Sequence, residues 1–205
     1  TVTVTKDSAN YTESFGTVTF EEAGTYEWTV SEAHKGETIN GVAYDSADKT
    51  ITIVVVDDGN GHLVADTGSA LVQTAAFTNT YSKSGEGEIK VQKTLSGRDW
   101  TTNDSFKFTI APKSANAKAL PTPEVEITST TAGYTASFGK VTFTDAGTYE
   151  WTVTEEHAGE TIQGVLYDSA PKTVTITVVD EGEGHLGAAE GSALVETAEF
   201  TTTSS

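Results

Sequence analysis

The sequence has no cysteine and no methionine among its 205 residues. Without cysteine, neither disulfide bonds nor thiolate metal sites can stabilise the fold, so any covalent link between strands must use other chemistry. No apolar run approaches the roughly 20 residues that a membrane-spanning helix requires. We therefore expect no membrane insertion in this segment.

Positive charge is also scarce. There are 12 Lys and Arg residues against 30 Asp and Glu residues, which gives a formal net charge of -18. A chain this acidic repels the phosphates of nucleic acids, so a nucleic-acid partner is not expected. An acidic composition rich in Thr, Val and Gly, without Cys, is typical of an extracellular stalk.

Motifs for metal binding or catalysis are missing as well. The acidic residues 57–62 (DDGNGH) lack the twelve-residue spacing of a calcium-binding EF-hand, and their Asp and Gly favour a hairpin turn. The four histidines have no neighbouring ligands at metal spacing. No phosphate-binding loop or nucleophile elbow is present. We expect no metal, no cofactor and no enzyme with turnover.

An internal repeat organises the chain. Residues 24–32 (GTYEWTVSE) return almost unchanged as residues 147–155 (GTYEWTVTE), 123 positions later. The same offset relates Tyr11 to Tyr134, Gly68 to Gly191 and Phe77 to Phe200, with no gap between them. Two tandem copies of one domain are therefore predicted.

The second copy has an additional opening segment. Because the offset places Thr1 opposite Glu124, residues 84–123 have no counterpart in the first copy. The turn-prone residues 82–87 (SKSGEG) form a natural linker. We therefore predict an incomplete domain at residues 1–82, which lacks its opening strands, and a complete domain at residues 83–205.

Apolar residues alternate with polar ones through most of both copies. This pattern predicts strands around Val18 and Phe20, along residues 24–32 and along residues 50–56. No long stretch has the period of a helix. The predicted fold class is all-β, with two tandem Ig-like antiparallel β-sandwiches.

The repeated aromatic strand places a carboxylate on its core-facing side. Side chains alternate between the faces of a strand, so Glu32 shares a face with Tyr26 and Trp28, and Glu155 shares one with Tyr149 and Trp151. An unpaired buried carboxylate is costly, so each glutamate needs a partner or a bound proton.

Two other predicted strands carry a polar residue on an apolar face. Lys93 has the same parity as Ile89, Val91 and Leu95, and Asn79 has the same parity as Ala75, Phe77 and Tyr81. A complete repeat would therefore bury a lysine from its opening strand, a glutamate from its middle strand and an asparagine from its closing strand.

Two interpretations of these three residues remain open. One is a buried ion pair with a hydrogen-bonded asparagine. The other is a reaction: burial lowers the pKa of the lysine amine and makes it nucleophilic, while a carboxyl group with a raised pKa shuttles protons. The product would be a Lys–Asn isopeptide bond, with loss of ammonia.

The combination of motifs is specific to one kind of domain. Residues 89–95 (IKVQKTL), 106–110 (FKFTI), 147–155 and 77–81 (FTNTY) resemble the streptococcal backbone-pilin isopeptide-linkage domain, which is FctA/T-antigen-like. This is a Cna B-type Ig-like fold of Gram-positive surface proteins, and the resemblance covers nearly the whole chain.

The resemblance implies roles for particular residues. In that family a lysine on the opening strand bonds an asparagine on the closing strand, assisted by a glutamate after the aromatic strand. By position these residues are Lys93 with Glu155 in the second copy, and Glu32 with Asn79 in the first.

Both copies depart from the family pattern. Thr202 occupies the expected asparagine position of the second copy, and the first copy has no opening strand at the matching place. Lys6 is an alternative lysine on a valine face, although the offset places it opposite Ser129. Three explanations are a fragment of a longer array, a degenerate or engineered second site, and a strand supplied by another molecule.

The sequence thus favours a structural function. We expect a stalk or pilus-like repeat, extracellular at the cell surface, whose partners are neighbouring repeats or copies of the same protein in a stalk or fibre. The alternatives are an adhesin that binds an unknown host ligand through loops such as residues 114–122, and a subunit that assembles by strand donation between chains. The loops lack the aromatic clusters that binding hot spots favour.

Overall fold

The computed structural model describes residues 1–204, which are almost entirely strands, turns and loops. The only helical elements of this described part are two short 3-10 turns, at Ala9–Tyr11 and Ala132–Tyr134. Within residues 1–204, no helix has the length and apolar character needed to cross a membrane.

The strands of the first copy are β1 (Gly24–Val30), β2 (Thr38–Ile39), β3 (Val42–Ala43), β4 (Lys49–Asp57), β5 (Leu63–Ala65) and β6 (Thr80–Tyr81). Those of the second copy are β7 (Gly85–Ser96), β8 (Ser105–Pro112), β9 (Glu124–Thr128), β10 (Thr135–Phe143), β11 (Gly147–Glu155), β12 (Thr161–Ile162), β13 (Val165–Leu166), β14 (Lys172–Gly182), β15 (His185–Ala188) and β16 (Val195–Ser204).

The chain divides into two compact units. The first consists of Thr1–Glu37 and Tyr44–Thr78, and the second joins Thr38–Ala43 to the residues from Asn79 onward. The short hairpin of β2 and β3 is therefore grouped with the second unit, where β3 pairs with β6.

The second copy is a sandwich of two five-stranded sheets. Their strand orders are β10-β7-β16-β13-β12 and β15-β14-β11-β8-β9. The predicted Ig-like sandwich is confirmed, and its neighbouring strands are antiparallel with one exception. The opening strand β7 and the closing strand β16 run parallel, from the pair Glu88 and Val195 to the pair Ser96 and Thr203.

Aromatic and branched side chains from both sheets fill the core of this sandwich. Trp151 on β11 is fully buried, and its indole N–H donates to the Lys118 carbonyl oxygen at 2.8 Å. The other large core residues include Ile89, Phe106, Phe108, Ile127, Phe138, Phe143, Ile176 and Phe200. Strands β7 and β8 supply a large part of this set, because their inward positions alternate regularly along both strands.

The first unit contains one three-stranded sheet, in the order β1-β4-β5. Its register repeats that of the second copy, since Tyr26 lies opposite Ile53 just as Tyr149 lies opposite Ile176. Residues 1–82 contain no counterpart of β7 and β8, because the offset pairs residues 1–82 with residues 124–205.

One predicted strand of the first copy is wrong. Residues 12–20, with Val18 and Phe20, lie outside any strand, whereas the equivalent residues 135–143 form β10. Strand β10 hydrogen-bonds to β7, and β7 belongs to the segment that has no counterpart in the first copy. An alternating pattern does not produce a strand when its backbone groups have no neighbouring strand to bond.

Candidate functional site

Three polar side chains meet inside the core of the second copy. Lys93 on β7, Glu155 at the end of β11 and Thr202 on β16 are 1%, 2% and 0% exposed. Lys93 faces inward because it continues the alternation of Ile89 and Val91. The site therefore joins the opening strand, the aromatic strand and the closing strand.

The lysine amine contacts both partners. Lys93 Nζ lies 2.5 Å from Glu155 Oε1, and it donates a hydrogen bond to Thr202 Oγ1. The second carboxylate oxygen, Glu155 Oε2, accepts a hydrogen bond from the Asp168 backbone N–H at 3.2 Å. The glutamate is thus held between the lysine and the loop that precedes β14.

Two aromatic rings line the same space. Lys93 Nζ lies 4.6 Å from the centre of the Phe106 ring and 5.8 Å from that of Tyr167. Ring faces attract a cation, but they cannot replace the hydration that the buried ammonium has lost. Apart from Glu155 and Thr202, aromatic rings therefore form much of the surroundings of the amine.

Burial shifts both ionisable groups toward their neutral forms. Desolvation lowers the pKa of Lys93, although the hydrogen bond and charge of Glu155 oppose this shift. Desolvation likewise raises the pKa of Glu155, against the opposing effect of Lys93. A neutral amine beside a protonated carboxyl group is a nucleophile with an adjacent proton carrier.

Thr202 lies where a reaction partner for this amine would have to be. Its hydroxyl accepts a hydrogen bond from the amine but offers no carbonyl carbon for the amine to attack. The offset of the repeat equates Thr202 with Asn79 of the first copy. The second copy therefore buries a lysine and a glutamate together, with a threonine at the position equivalent to Asn79.

The predicted residues of the first copy are placed differently. Glu32 follows β1 in the first unit and is half-buried, whereas Asn79 is exposed. The prediction that Asn79 lies on a buried apolar face is therefore wrong. The equivalent Thr202 is buried because β16 is an inner strand of a sheet that packs on a second sheet, whereas residues 73–79 lie outside any strand.

Lys6 does not lie on an opening strand. Residues 1–5 are outside any strand and correspond by the offset to β9, not to β7. The Lys6 side chain is 89% exposed and lies 3.9 Å from Asp7.

Sequence reasoning missed Phe106, Tyr167 and the Asp168 backbone N–H. The alternation of Phe106, Phe108 and Ile110 marks Phe106 as core-facing, but it does not show that the ring lies over the lysine. The repeated YDSA motif containing Tyr167 gave no sign of proximity to Glu155.

Among the described residues, no group of three or more His, Asp or Glu side chains could hold a metal ion.

The second copy is thus an Ig-like sandwich that buries a lysine of its opening strand against a glutamate of the facing sheet. A family model, FctA, described as the Spy0128-like isopeptide containing domain, matches residues 1–82 and 89–203. The chain belongs to this family.

Solved structures of streptococcal surface proteins also match the chain. The major pilin T3.2 of Streptococcus pyogenes shares 19% identity over 91% of this chain and 69% of its own, with a TM-score of 0.24. The major pilin T-13 of the same organism shares 18% over 93% and 71%, with a TM-score of 0.22.

A third match is the pilus-presented adhesin Spy0125 (Cpa). It shares 19% identity over 57% of this chain, with a TM-score of 0.28, and this chain spans 27% of the adhesin's length. No curated protein sequence matches the chain.

Proposed function

We propose that the chain is a structural repeat of a bacterial cell-surface protein, of the stalk or pilus type, stabilised by Lys–Asn isopeptide bonds between opening and closing strands. The observation that carries the proposal is the fully buried pair of Lys93 and Glu155 beside the closing strand. The partners are neighbouring repeats or further copies of the same protein, outside the cell.

Stability alone is a poor reason for such a pair. Removing two charges from water costs several kcal/mol per ion, and apolar residues of similar volume often serve as well or better. A reactive role would explain such a pair in a repeat whose closing strand carries asparagine at the position of Thr202. Burial supplies the free amine, and the carboxyl group supplies the proton that the leaving group needs.

The proposed reaction consumes each group once. Lys93 Nζ attacks the Cγ carbonyl carbon of an asparagine, an amide bond forms, and the Nδ2 group leaves as ammonia. The glutamate passes protons from the attacking amine to the leaving nitrogen. Because the lysine ends in the crosslink, this is a single-turnover self-modification and the chain is not an enzyme.

The residues for this reaction are divided between the copies. The second copy has Lys93 and Glu155 but carries Thr202, whereas the first copy has Glu32 and Asn79 but no opening strand with a lysine. We propose that Glu32 assists the crosslink of the first copy and that Asn79 is its amide donor. The second site becomes competent once an asparagine replaces Thr202.

The substitution Thr202→Asn tests this proposal. We expect the intact mass of the purified variant to fall below the calculated value by one ammonia, and a tryptic peptide linking Lys93 to residue 202 to appear. Thr202→Val is the matched control and should give the full calculated mass. Combining Thr202→Asn with Glu155→Gln or Lys93→Met should abolish the deficit.

One result would reject the proposed chemistry. It is a Thr202→Asn variant that keeps the full calculated mass while its near-UV circular dichroism shows an intact sandwich core.

A further inference from the structure

The turn between β2 and β3 lies against the turn between β14 and β15. Asn40 and Gly41 form the first turn, Glu183 and Gly184 form the second, and all four residues have positive φ. All of them belong to the second compact unit. A Cβ atom at Gly41 would lie 2.6 Å from the Gly184 Cα atom, and one at Gly184 would lie 2.7 Å from the Gly41 Cα atom. The two backbones thus leave no room for a side chain at either glycine.

The linker between the copies is hydrogen-bonded to both turns. The Ser82 backbone N–H donates to the Gly41 carbonyl oxygen at 2.8 Å, and the Ser84 backbone N–H donates to the Gly184 carbonyl oxygen at 3.1 Å. The linker predicted from its turn-prone composition is therefore a bonded segment, not a flexible tether. The two turns and residues 82–84 are together called the joint below.

Two side chains add to the joint. Lys83 Nζ lies 2.9 Å from Asp180 Oδ2, and both side chains are half-buried. The Tyr81 hydroxyl oxygen accepts a hydrogen bond from the Gly184 backbone N–H at 3.2 Å. The joint is consequently a built contact, with a close backbone approach, hydrogen bonds and an ion pair.

Each copy carries the residues of both halves of the joint. The offset pairs the joint residues with identical residues of the other copy: Gly41 with Gly164, Gly184 with Gly61, and Asp180 with Asp57. Gly164 lies in the turn between β12 and β13 and has positive φ, as Gly41 does. Tyr81 is an exception, because its counterpart is Ser204. A contact whose two halves lie on different parts of one repeat is head-to-tail and can join many copies in a row.

We propose that the joint is a docking contact between successive repeats, in which the β14–β15 turn of one repeat lies on the β2–β3 turn of the repeat before it. The β12–β13 turn around Gly164 offers the same contact to a further repeat of this pattern. The inference rests on the proposed stalk of repeats and specifies which surfaces meet. The glycine pair excludes any repeat with a side chain at either position.

Trypsin measures the joint, because it cleaves after Lys83 inside the linker. Cleavage requires a locally unfolded and accessible backbone, so the native chain should resist it at this position. Gly41→Ala and Gly184→Ala force the two turns apart and should each raise the rate of this cleavage by about tenfold or more. Mass spectrometry of the fragments follows the rate of this one cut.

Two control glycines separate the close approach from the positive φ. Gly59 has a φ of +78°, against +79° for Gly41, and Gly182 has +85°, against +84° for Gly184. A Cβ atom at either control position would meet nothing within 4 Å. Gly59→Ala and Gly182→Ala should therefore change the cleavage rate by less than about twofold. The proposal is overturned if Gly182→Ala opens the linker as much as Gly184→Ala does.

A longer chain tests the partner. In it, a further copy of residues 83–205 follows directly after Ser205, at the junction that the offset dictates. Cleavage after the lysine of the new linker should be within about threefold of cleavage after Lys83, and Gly164→Ala should raise it about tenfold. A new linker that is cut as fast as in the denatured chain, while the original linker resists, would overturn docking by further repeats.

The joint and the crosslink can fail separately. The mass deficit expected of Thr202→Asn does not involve the linker, and the cleavage rates are measured in chains that keep Thr202. Full mass in Thr202→Asn together with a resistant linker would reject the crosslink and support the joint. A parent chain cut after Lys83 as fast as the denatured chain would reject the joint alone.

Discussion

The two copies have closely similar sequences, yet they keep different strands. Strands β1 and β4 of the first copy pair in the same register as β11 and β14 of the second. Residues 12–20 have no strand, although their counterpart is β10. The paired strands find their partners within the shared sequence, whereas β10 depends on β7. The alternation of apolar and polar residues determines which side chains face inward. Whether a strand forms depends on a neighbouring strand that can bond its backbone groups.

The aromatic cluster makes the same point at the level of side chains. The rings of Tyr26 and Trp28 are 6.3 Å apart at 17°, and those of Tyr149 and Trp151 are 6.3 Å apart at 18°. Their burial differs, because Trp28 is 38% exposed and Trp151 is fully buried. The two rings therefore have the same relative geometry in both copies, whether or not opening strands bury them.

The largest expected effect is a difference in stability loss between the equivalent residues Trp151 and Trp28. Trp151→Ala removes a fully buried side chain and should lower the free energy of unfolding of the second unit by about 4 kcal/mol. Trp28→Ala should cost the first unit only about 1 kcal/mol, because its side chain is partly in water. Hydrogen exchange in denaturant, resolved by unit, measures both values. Equal losses would contradict the difference in burial.

The next largest loss of stability is expected at the buried pair of Lys93 and Glu155. The first copy has no residue equivalent to Lys93. Lys93→Ala leaves Glu155 buried without its partner and should destabilise the second unit by about 3 kcal/mol. Lys90→Ala is the matched control on the opposite face of β7, where Lys90 pairs with Glu88 at the surface, and should cost less than about 1 kcal/mol.

A double variant distinguishes a reactive pair from a stabilising one. Lys93→Met combined with Glu155→Leu should be about as stable as the parent chain, or more stable, because apolar residues then replace both charges. If the double variant were as unstable as Lys93→Ala, the pair would be a stabilising element in its own right.

The smallest expected effect is a pH-dependent change in stability. It involves Arg98 and Asp104, which lie in residues 84–123, the segment that has no counterpart in the first copy. The Arg98 guanidinium lowers the pKa of Asp104 to about 2. A lowered carboxyl pKa contributes stability above the unfolded value of about 4, and this is lost as pH falls through about 2. Arg98→Gln should therefore cost the second unit on the order of 1 kcal/mol at pH 7, with a shrinking difference from parent below pH 4. Thermal melts at several pH values check this, and a pH-independent difference would contradict it.

Strand alternation was enough to find the inward lysine and glutamate. The apolar residues around Lys93 on β7, and the aromatic residues before Glu155 on β11, give both side chains a parity that the structure confirms by burial. The all-β fold, the sandwich of the second copy and the repeated register of β1 and β4 also followed from alternation and from the constant offset of the repeat.

Alternation could not predict what depends on a partner strand. Val18 and Phe20 have the pattern of a strand, and Asn79 has the parity of an inward residue, but neither prediction holds where β7 has no counterpart. The contact of Lys93 with Thr202 was equally hidden in the pattern. It arises from the parallel pairing of two strands that are far apart in sequence.

That parallel pairing has a mechanical consequence. Strand β7 enters its sheet near Gly85 and β16 ends at Ser204, so a pull applied to these two ends acts along the strands in opposite directions. The pull would shear the whole β7–β16 ladder at once, instead of peeling its hydrogen bonds apart one by one. The force would pass directly between two adjacent inner strands, and the edge strands β9, β10, β12 and β15 would lie outside the loaded ladder.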